Sequence, residues 1–212
     1  QAWSLPTKQY KDGIEFKNVY DGSYFKLTPQ DSIKTQNLLG SDIAMIFDYL
    51  ISVDKPDEEQ KKAIEITKQW ATICKEIHNN SSQSLFGIVQ GGLNLDLRAE
   101  SAESMINLNF DGYAIGGLAI GETQLERKSV VDFLSEVLPI DKPRYVMGLG
   151  DTVGLIDLID SGVDMFDCVW PARLARHGKL IIKNKYINIK NSKYEKDTNP
   201  IDEDCNCYTC AR

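Results

Sequence analysis

Gly162-Val-Asp-Met-Phe-Asp-Cys-Val-Trp-Pro-Ala-Arg-Leu-Ala-Arg-His177 is the stretch on which the reading of this chain turns. Val163 to Val169 is an apolar run that predicts a buried strand, and it carries a carboxylate, Asp167, toward its end. Arg173 and Arg176 follow at once. An acid at a strand end suits attack on a carbon that is becoming cationic, and guanidiniums beside it suit phosphates or base edges. Asp164 and Asp167 are three residues apart, so on a strand they point to opposite faces and one alone can face an interior. Taken by itself, either acid is read more simply as a loop cap or as a partner of Arg173.

Toward the N-terminus the same kind of run recurs. Ile43–Phe47 is short and continuously apolar, the pattern of a strand buried on both faces, and Leu85–Val89, Gly112–Ile115 and Arg144–Met147 are read as further strands. Helices are predicted between them. One starts at Thr28-Pro29 and stops near Gly40, and another is capped by Asp57 and repeats Ile66, Trp70, Ile73 and Ile77 at helical spacing. A third follows Asn94. A fourth opens on the capping box Thr123-Gln-Leu-Glu126 and turns Val130, Phe133, Leu134 and Val137 inward, and a fifth runs from Thr152 to Ser161. Before this series, Ile14–Tyr20 and Tyr24–Leu27 read as a hairpin turning at Asp21-Gly22; after it, Lys179–Lys190 reads as a second hairpin. Strands alternating with helices predict a parallel sheet. Polar or glycine residues sit where each strand ends: Asp48, Gln90, Gly116-Gly117, Gly148 and Asp167. Five convergent strand ends favour a (β/α)8 TIM barrel, whose site is built on that rim, over an open sheet with one switch point.

Composition narrows the class. With 212 residues, 42% hydrophobic, the chain can bury one good core. No apolar run approaches the roughly 20 residues of a membrane span, and no signal-peptide pattern opens the chain. A net charge of −7 argues against a sequence-blind nucleic-acid binder. The charge is uneven, however: Arg173, Arg176, Lys179, Lys183, Lys185, Lys190 and Lys193 follow one another with no acid among them. On composition alone that is a solvated hairpin; next to Asp167 it becomes a local RNA footprint. Of five cysteines, Cys205, Cys207 and Cys210 have metal-ligand spacing, which fits a reducing compartment, whereas Cys74 reads as core. A closed structural zinc site needs four ligands, and neither His78 nor His177 is suitably spaced.

Asp48 and Gln90 suit a guanine-like edge. The carboxylate accepts from the ring N–H and exocyclic amine, and the amide donates to the carbonyl oxygen or a ring nitrogen. Gly116 and Gly117 let backbone amides approach the same heterocycle.

These motifs, in this order, resemble the bacterial tRNA-guanine transglycosylases: Gly40-Ser-Asp-Ile-Ala-Met-Ile-Phe-Asp48, Phe86-Gly-Ile-Val-Gln-Gly91, Asp111 through Glu122, the Asp167 strand with its arginines, and Cys205-Asn-Cys-Tyr-Thr-Cys210. The resemblance runs nearly end to end. It implies an α/β (β/α)8 barrel with a C-terminal zinc-binding subdomain, of which this chain holds about the last five strands. Residues 1–178 would form the partial barrel with its hairpin insertion, and 179–212 the second hairpin and the start of the zinc-binding subdomain. The chain is expected to be a piece of a longer enzyme, the general acid/base and a fourth, histidine zinc ligand lying outside it. The implied activity is exchange of guanine at wobble position 34 of tRNA for a 7-deazaguanine, in queuosine biosynthesis. Asp167 would be the nucleophile, with Asp48, Gln90, Gly117, Leu118 and Glu122 holding the base. Gly148, Leu149, Gly150, Asp151, Thr152, Val153 and Gly154, with Ala172, Arg173, Leu174, Ala175 and Arg176, would contact RNA. Cys205, Cys207 and Cys210 would bind Zn2+. The implied partners are a tRNA with a GUN anticodon, the 7-deazaguanine base and a second copy in a homodimer, in the cytoplasm and with no membrane.

The sequence departs from the family in two places. Tyr49-Leu50-Ile51-Ser52 stands where bacterial members that use 7-aminomethyl-7-deazaguanine carry Glu-Cys-Thr-Pro, which makes queuine an alternative incoming base. Asp151 stands where the family has a cation, which weakens a phosphate contact there. A non-catalytic zinc-and-barrel subunit has no need of Asp167, Asp48 and Gln90 together. A glycoside hydrolase on the same barrel has no need of the base-shaped set or the cysteines.

Overall fold

The computed structural model describes residues 7–182 and 185–210. The chain divides into two compact units, one ending at Asp167 and the other beginning at Cys168.

The first unit opens with three antiparallel strands, β1 (Thr7–Tyr10), β2 (Gly13–Lys17) and β3 (Tyr24–Leu27), in that order. The sequence predicts only the last two. β1 is polar and alternates weakly, and it reaches β2 through the two-residue turn Lys11-Asp12, across which Tyr10 pairs with Gly13. The indole of Trp70 donates to the Lys11 carbonyl at 2.8 Å and fastens this sheet to the helix layer.

The core of the unit is a five-stranded, wholly parallel sheet, curled as part of a TIM barrel is. It contains β4 (Ile43–Met45), β5 (Ser84–Val89), β6 (Gly112–Ile115), β7 (Arg144–Val146) and β8 (Met165–Phe166), ordered β4-β5-β6-β7-β8. Ala44, Leu85, Ile88, Tyr113, Ile115 and Val146 are buried in it. The connecting helices are α1 (Pro29–Leu39), α2 (Asp57–Ile77), α3 (Leu95–Asn107), α4 (Gln124–Val137) and α5 (Thr152–Asp160), and each packs on the next. Their ends follow the sequence signals closely. Thr28 and Asp31 form a reciprocal capping box, Gly40 closes α1 in the left-handed region, Asn94 caps α3, and Thr123 with Glu126 caps α4. Asp57 differs from expectation: Pro56 is the N-cap of α2, and the Asp57 carboxylate accepts from the Asn94 side chain instead. Cys74 is fully buried, and burial pushes its thiol up to about 11, as an inert core residue requires.

The second unit holds α6 (Trp170–Arg176), the hairpin of β9 (Lys179–Ile182) with β10 (Lys185–Asn188), and a 3-10 turn at Ser192–Tyr194. The predicted strand Val163–Val169 is thus far shorter than expected. Pro171 at the second position of α6 suits a helix start, so Val169 becomes its N-cap and leaves β8. Among the described residues no helix is long and apolar enough to cross a membrane.

Candidate base-binding rim and thiol cluster

The parallel register sets the candidate residues in a row. Val89, Ile115, Val146 and Phe166 lie side by side across β5 to β8. One step onward come Gln90, Gly116, Met147 and Asp167, all at the C-terminal edge of the sheet. Met45 of β4 pairs with Phe86, which brings Asp48 level with Val89.

At this edge the Gln90 amide donates to Asp48 Oδ2 at 2.6 Å, while the Gln90 backbone N–H is held by Ser101 Oγ at 2.9 Å. Gln90 is buried. Asp48 keeps part of its surface open, yet the protein packed around its carboxyl pushes the pKa up to about 6, against the Gln90 bond, which lowers it. Both groups keep spare capacity: the carboxylate has a second oxygen, and the amide has its own oxygen. That oxygen lies 2.5 Å from where a Cβ on Gly117 would stand, and Gly117 has φ +66°, so only glycine leaves the amide its place.

Glu122 is buried behind this turn. Its Oε1 accepts from the Ala119 N–H at 2.6 Å and from Arg127 Nε at 2.8 Å, and its Oε2 from the Ile120 N–H at 3.1 Å. Burial works to raise its pKa, but the Arg127 and backbone bonds outweigh it and hold the carboxyl below its ordinary value. Glu122 therefore arranges the loop after Leu118, where Ala119 sits at φ +61°.

Asp164 and Asp167 flank β8 at opposite ends, so the strand separates them along its axis and not merely by face. Asp164 accepts from the Arg144 N–H at the N-terminal end. Asp167 Oδ1 accepts from the Tyr145 hydroxyl at 2.5 Å and from the Gly148 N–H at 2.7 Å. Its Oδ2 has no hydrogen bond among the described residues. One carboxylate oxygen is thus anchored and the other is not. Burial and the Asp167 bond and charge raise the Tyr145 pKa, so the phenol stays a donor. Sequence reasoning missed Tyr145 because an aromatic within a strand reads as core.

Gly148, Leu149 and Gly150 lead into α5, and Asp151 is its N-cap, accepting from Gly154 at 2.9 Å. Thr152, Val153 and Gly154 form its first turn. The acid that replaces a cation thus has a local use in closing the helix end. Tyr49 turns its ring to Trp70, with centroids 5.7 Å apart, and gives its N–H to Thr67 Oγ1.

In the second unit Ala172, Arg173, Leu174, Ala175 and Arg176 all lie on α6. Arg173 and Arg176 are three apart, on one face, and both are exposed. The sulfur atoms of Cys205, Cys207 and Cys210 lie within 4.8 Å of one another and could hold a metal ion. Zinc with thiolate bonds of about 2.3 Å in a tetrahedron spaces its sulfurs by about 3.8 Å, so this cluster fits three corners. The Cys210 N–H and the thiols of Cys205 and Cys210 hold the Cys207 pKa down, while hydrogen bonding to Cys207 pushes Cys210 up to about 11.

Sheet curvature, helix order and polar groups at the C-terminal edge together define a mixed α/β protein with a curled parallel sheet, consistent with a partial (β/α) barrel that gathers the candidate residues on its rim. The sequence matches the family described as queuine tRNA-ribosyltransferase over residues 1–212, and the chain belongs to that family. It is 47% identical over 206 residues to the queuine tRNA-ribosyltransferase of Blochmanniella floridana, covering 95% of this chain and 54% of that protein. It is 46% identical over 201 residues to the Bacillus subtilis (strain 168) protein of the same name, covering 94% and 53%. The chain spans about half the length of the curated relatives it matches.

Proposed function

We propose that the protein to which this chain belongs exchanges guanine at position 34 of a GUN-anticodon tRNA for a 7-deazaguanine base, through a covalent link to Asp167. The observation that carries the reading is the Asp167 carboxylate, tied at one oxygen by Tyr145 and Gly148 and free at the other, in the same rim row as Gln90. The free oxygen attacks C1′ as the departing guanine takes the electron pair of the C1′–N bond. The incoming base then attacks C1′ from the side guanine left and releases the carboxylate, with net retention. Asp48 and Gln90 hold the heterocycle, and the Gly117 N–H meets its carbonyl edge. The nucleotide must leave its stack to reach this rim, which costs least in a single-stranded loop. Arg173 and Arg176 contact the RNA around it. Cys205, Cys207 and Cys210 hold a structural zinc ion with one further ligand, and the protein works as a cytoplasmic homodimer.

We place 7-aminomethyl-7-deazaguanine first as the incoming base and queuine second. Tyr49 spends its ring on Trp70, which leaves Leu50 as the substitution facing this choice. One apolar wall discriminates by roughly 1–3 kcal/mol, a preference and not an exclusion. Competition of the two bases for one tRNA measures it, and a strong queuine preference reverses the order. The nucleophile is tested by Asp167→Asn in the full-length protein. Binding of tRNA should persist while exchange of labelled guanine falls by several orders of magnitude. Near-wild-type exchange would sink the assignment.

A further inference from the structure

Arg98, on the buried face of α3, is one of the largest side chains wholly enclosed by the protein. Removing a guanidinium from water is expensive unless its donors are met. Here three are. Nε donates to the Gly92 carbonyl at 2.9 Å, and Nη1 to the carbonyls of Val89 at 2.9 Å and Gly116 at 2.8 Å. Among the described residues no carboxylate forms an ion pair with it, and Nη2 is buried without a partner. That atom lies 3.8 Å from the position a Cβ on Gly117 would take. Burial pulls the Arg98 pKa down to about 9, and the Glu122 charge acts the other way.

All three carbonyls belong to the C-terminal ends of β5 and β6 or to the turn after β5, which is the rim that carries Gln90 and Gly117. The backbone is built to bring the guanidinium there. Gly91 has φ +134°, and a Cβ on it would stand 2.9 Å from the Arg98 nitrogen, so the first turn of α3 can close on this loop only against glycine. The consequence concerns one peptide. In a trans peptide the C=O and the following N–H point in opposite directions, and there are no cis peptides among the described residues. With the Gly116 oxygen fixed on Arg98, the Gly117 N–H is turned away from Arg98, and it donates no hydrogen bond among the described residues. A Gly-Gly peptide would otherwise flip at little cost.

We propose that Arg98 is a positioning residue of the base site: it locks the Gly116–Gly117 peptide so that the Gly117 N–H is presented to the carbonyl edge of the purine. This rests on the base-exchange reading above. Arg144 offers an internal comparison, since it is also buried and also donates to carbonyls, of Leu138 at 2.9 Å and Gly162 at 3.4 Å, but at the opposite end of the sheet. If buried arginines here serve the fold alone, the two should respond alike.

The experiment compares Arg98→Lys and Arg144→Lys in the full-length protein, with Arg98→Gln as a second variant should the lysine form not fold. Two readouts are taken: KM for guanine and for tRNA in the exchange assay, and hydrogen–deuterium exchange of the peptide covering Gly116–Ala119. Arg98→Lys should raise KM for guanine tenfold or more with KM for tRNA unchanged, and should speed amide exchange in that peptide. Arg144→Lys should do neither. Equal behaviour of the two variants, or an unaltered Gly116–Ala119 peptide in the Arg98 variant, overturns the proposal. The second readout needs no turnover. If the wild-type protein exchanged no base at all, the functional reading would fall while the locking role of Arg98 was still decided.

Discussion

Asp48→Asn should make the resting protein more stable while removing its hold on guanine. The folded protein keeps the Asp48 pKa at about 6, against an ordinary value of 3.8. Because the folded-state value is the higher one, folding favours the neutral acid: its contribution is full below about pH 4 and is lost as pH rises through about 6. A displacement of about two pKa units corresponds to about 3 kcal/mol, an upper bound because part of Asp48 reaches water. Asparagine never ionises, and its oxygen can still accept from the Gln90 amide. Urea unfolding of the full-length wild type and Asp48→Asn between pH 4 and pH 8 measures the difference. The variant's advantage should be small at pH 4, grow to pH 7 and then level off. In the same range guanine KM for the wild type should rise as pH falls below 6, since a protonated acid cannot accept from both the ring N–H and the amine. A stability difference that is constant across pH would refute the argument, because it would mean that the fold does not disfavour the charged carboxylate.

Tyr145→Phe removes one of the two donors to Asp167 Oδ1. A hydrogen bond to a charged group is worth about 1.5–3 kcal/mol, so kcat should fall roughly tenfold to a hundredfold with guanine KM little changed, measured by labelled-guanine exchange. A kcat within twofold of wild type would show that the Gly148 N–H suffices. Changing Cys205, Cys207 and Cys210 together to Ser should abolish zinc by elemental analysis of the full-length protein and lower its thermal midpoint, whereas zinc retained in that variant would place the metal elsewhere.

Where chain-local chemistry decides the outcome, the sequence could be read directly. Thr28, Asn94 and Thr123 cap helices through their own side chains, and their signals were legible. So was the row of polar strand ends, because a parallel sheet forces residues that follow each apolar run to one edge. What escaped was set by contacts distant in sequence or by a competing neighbouring signal. Asp57 looks like a cap, but the Asn94 side chain engages its carboxylate, and Asp57 becomes the first residue of the helix with Pro56 ahead of it. Val163–Val169 looks like one strand, yet Pro171 favours a helix so near that β8 keeps two residues. Tyr145 looks like core until its hydroxyl meets an acid 22 positions on. Arg98 looks like a solvated helix residue, and only the close approach permitted by Gly91 turns it inward. The sign that could have found it was the Gly91-Gly92 pair just ahead of the helix. Two glycines spent where a strand hands over to a helix imply that something must come close, and the first long side chain of that helix able to reach the strand ends is the arginine.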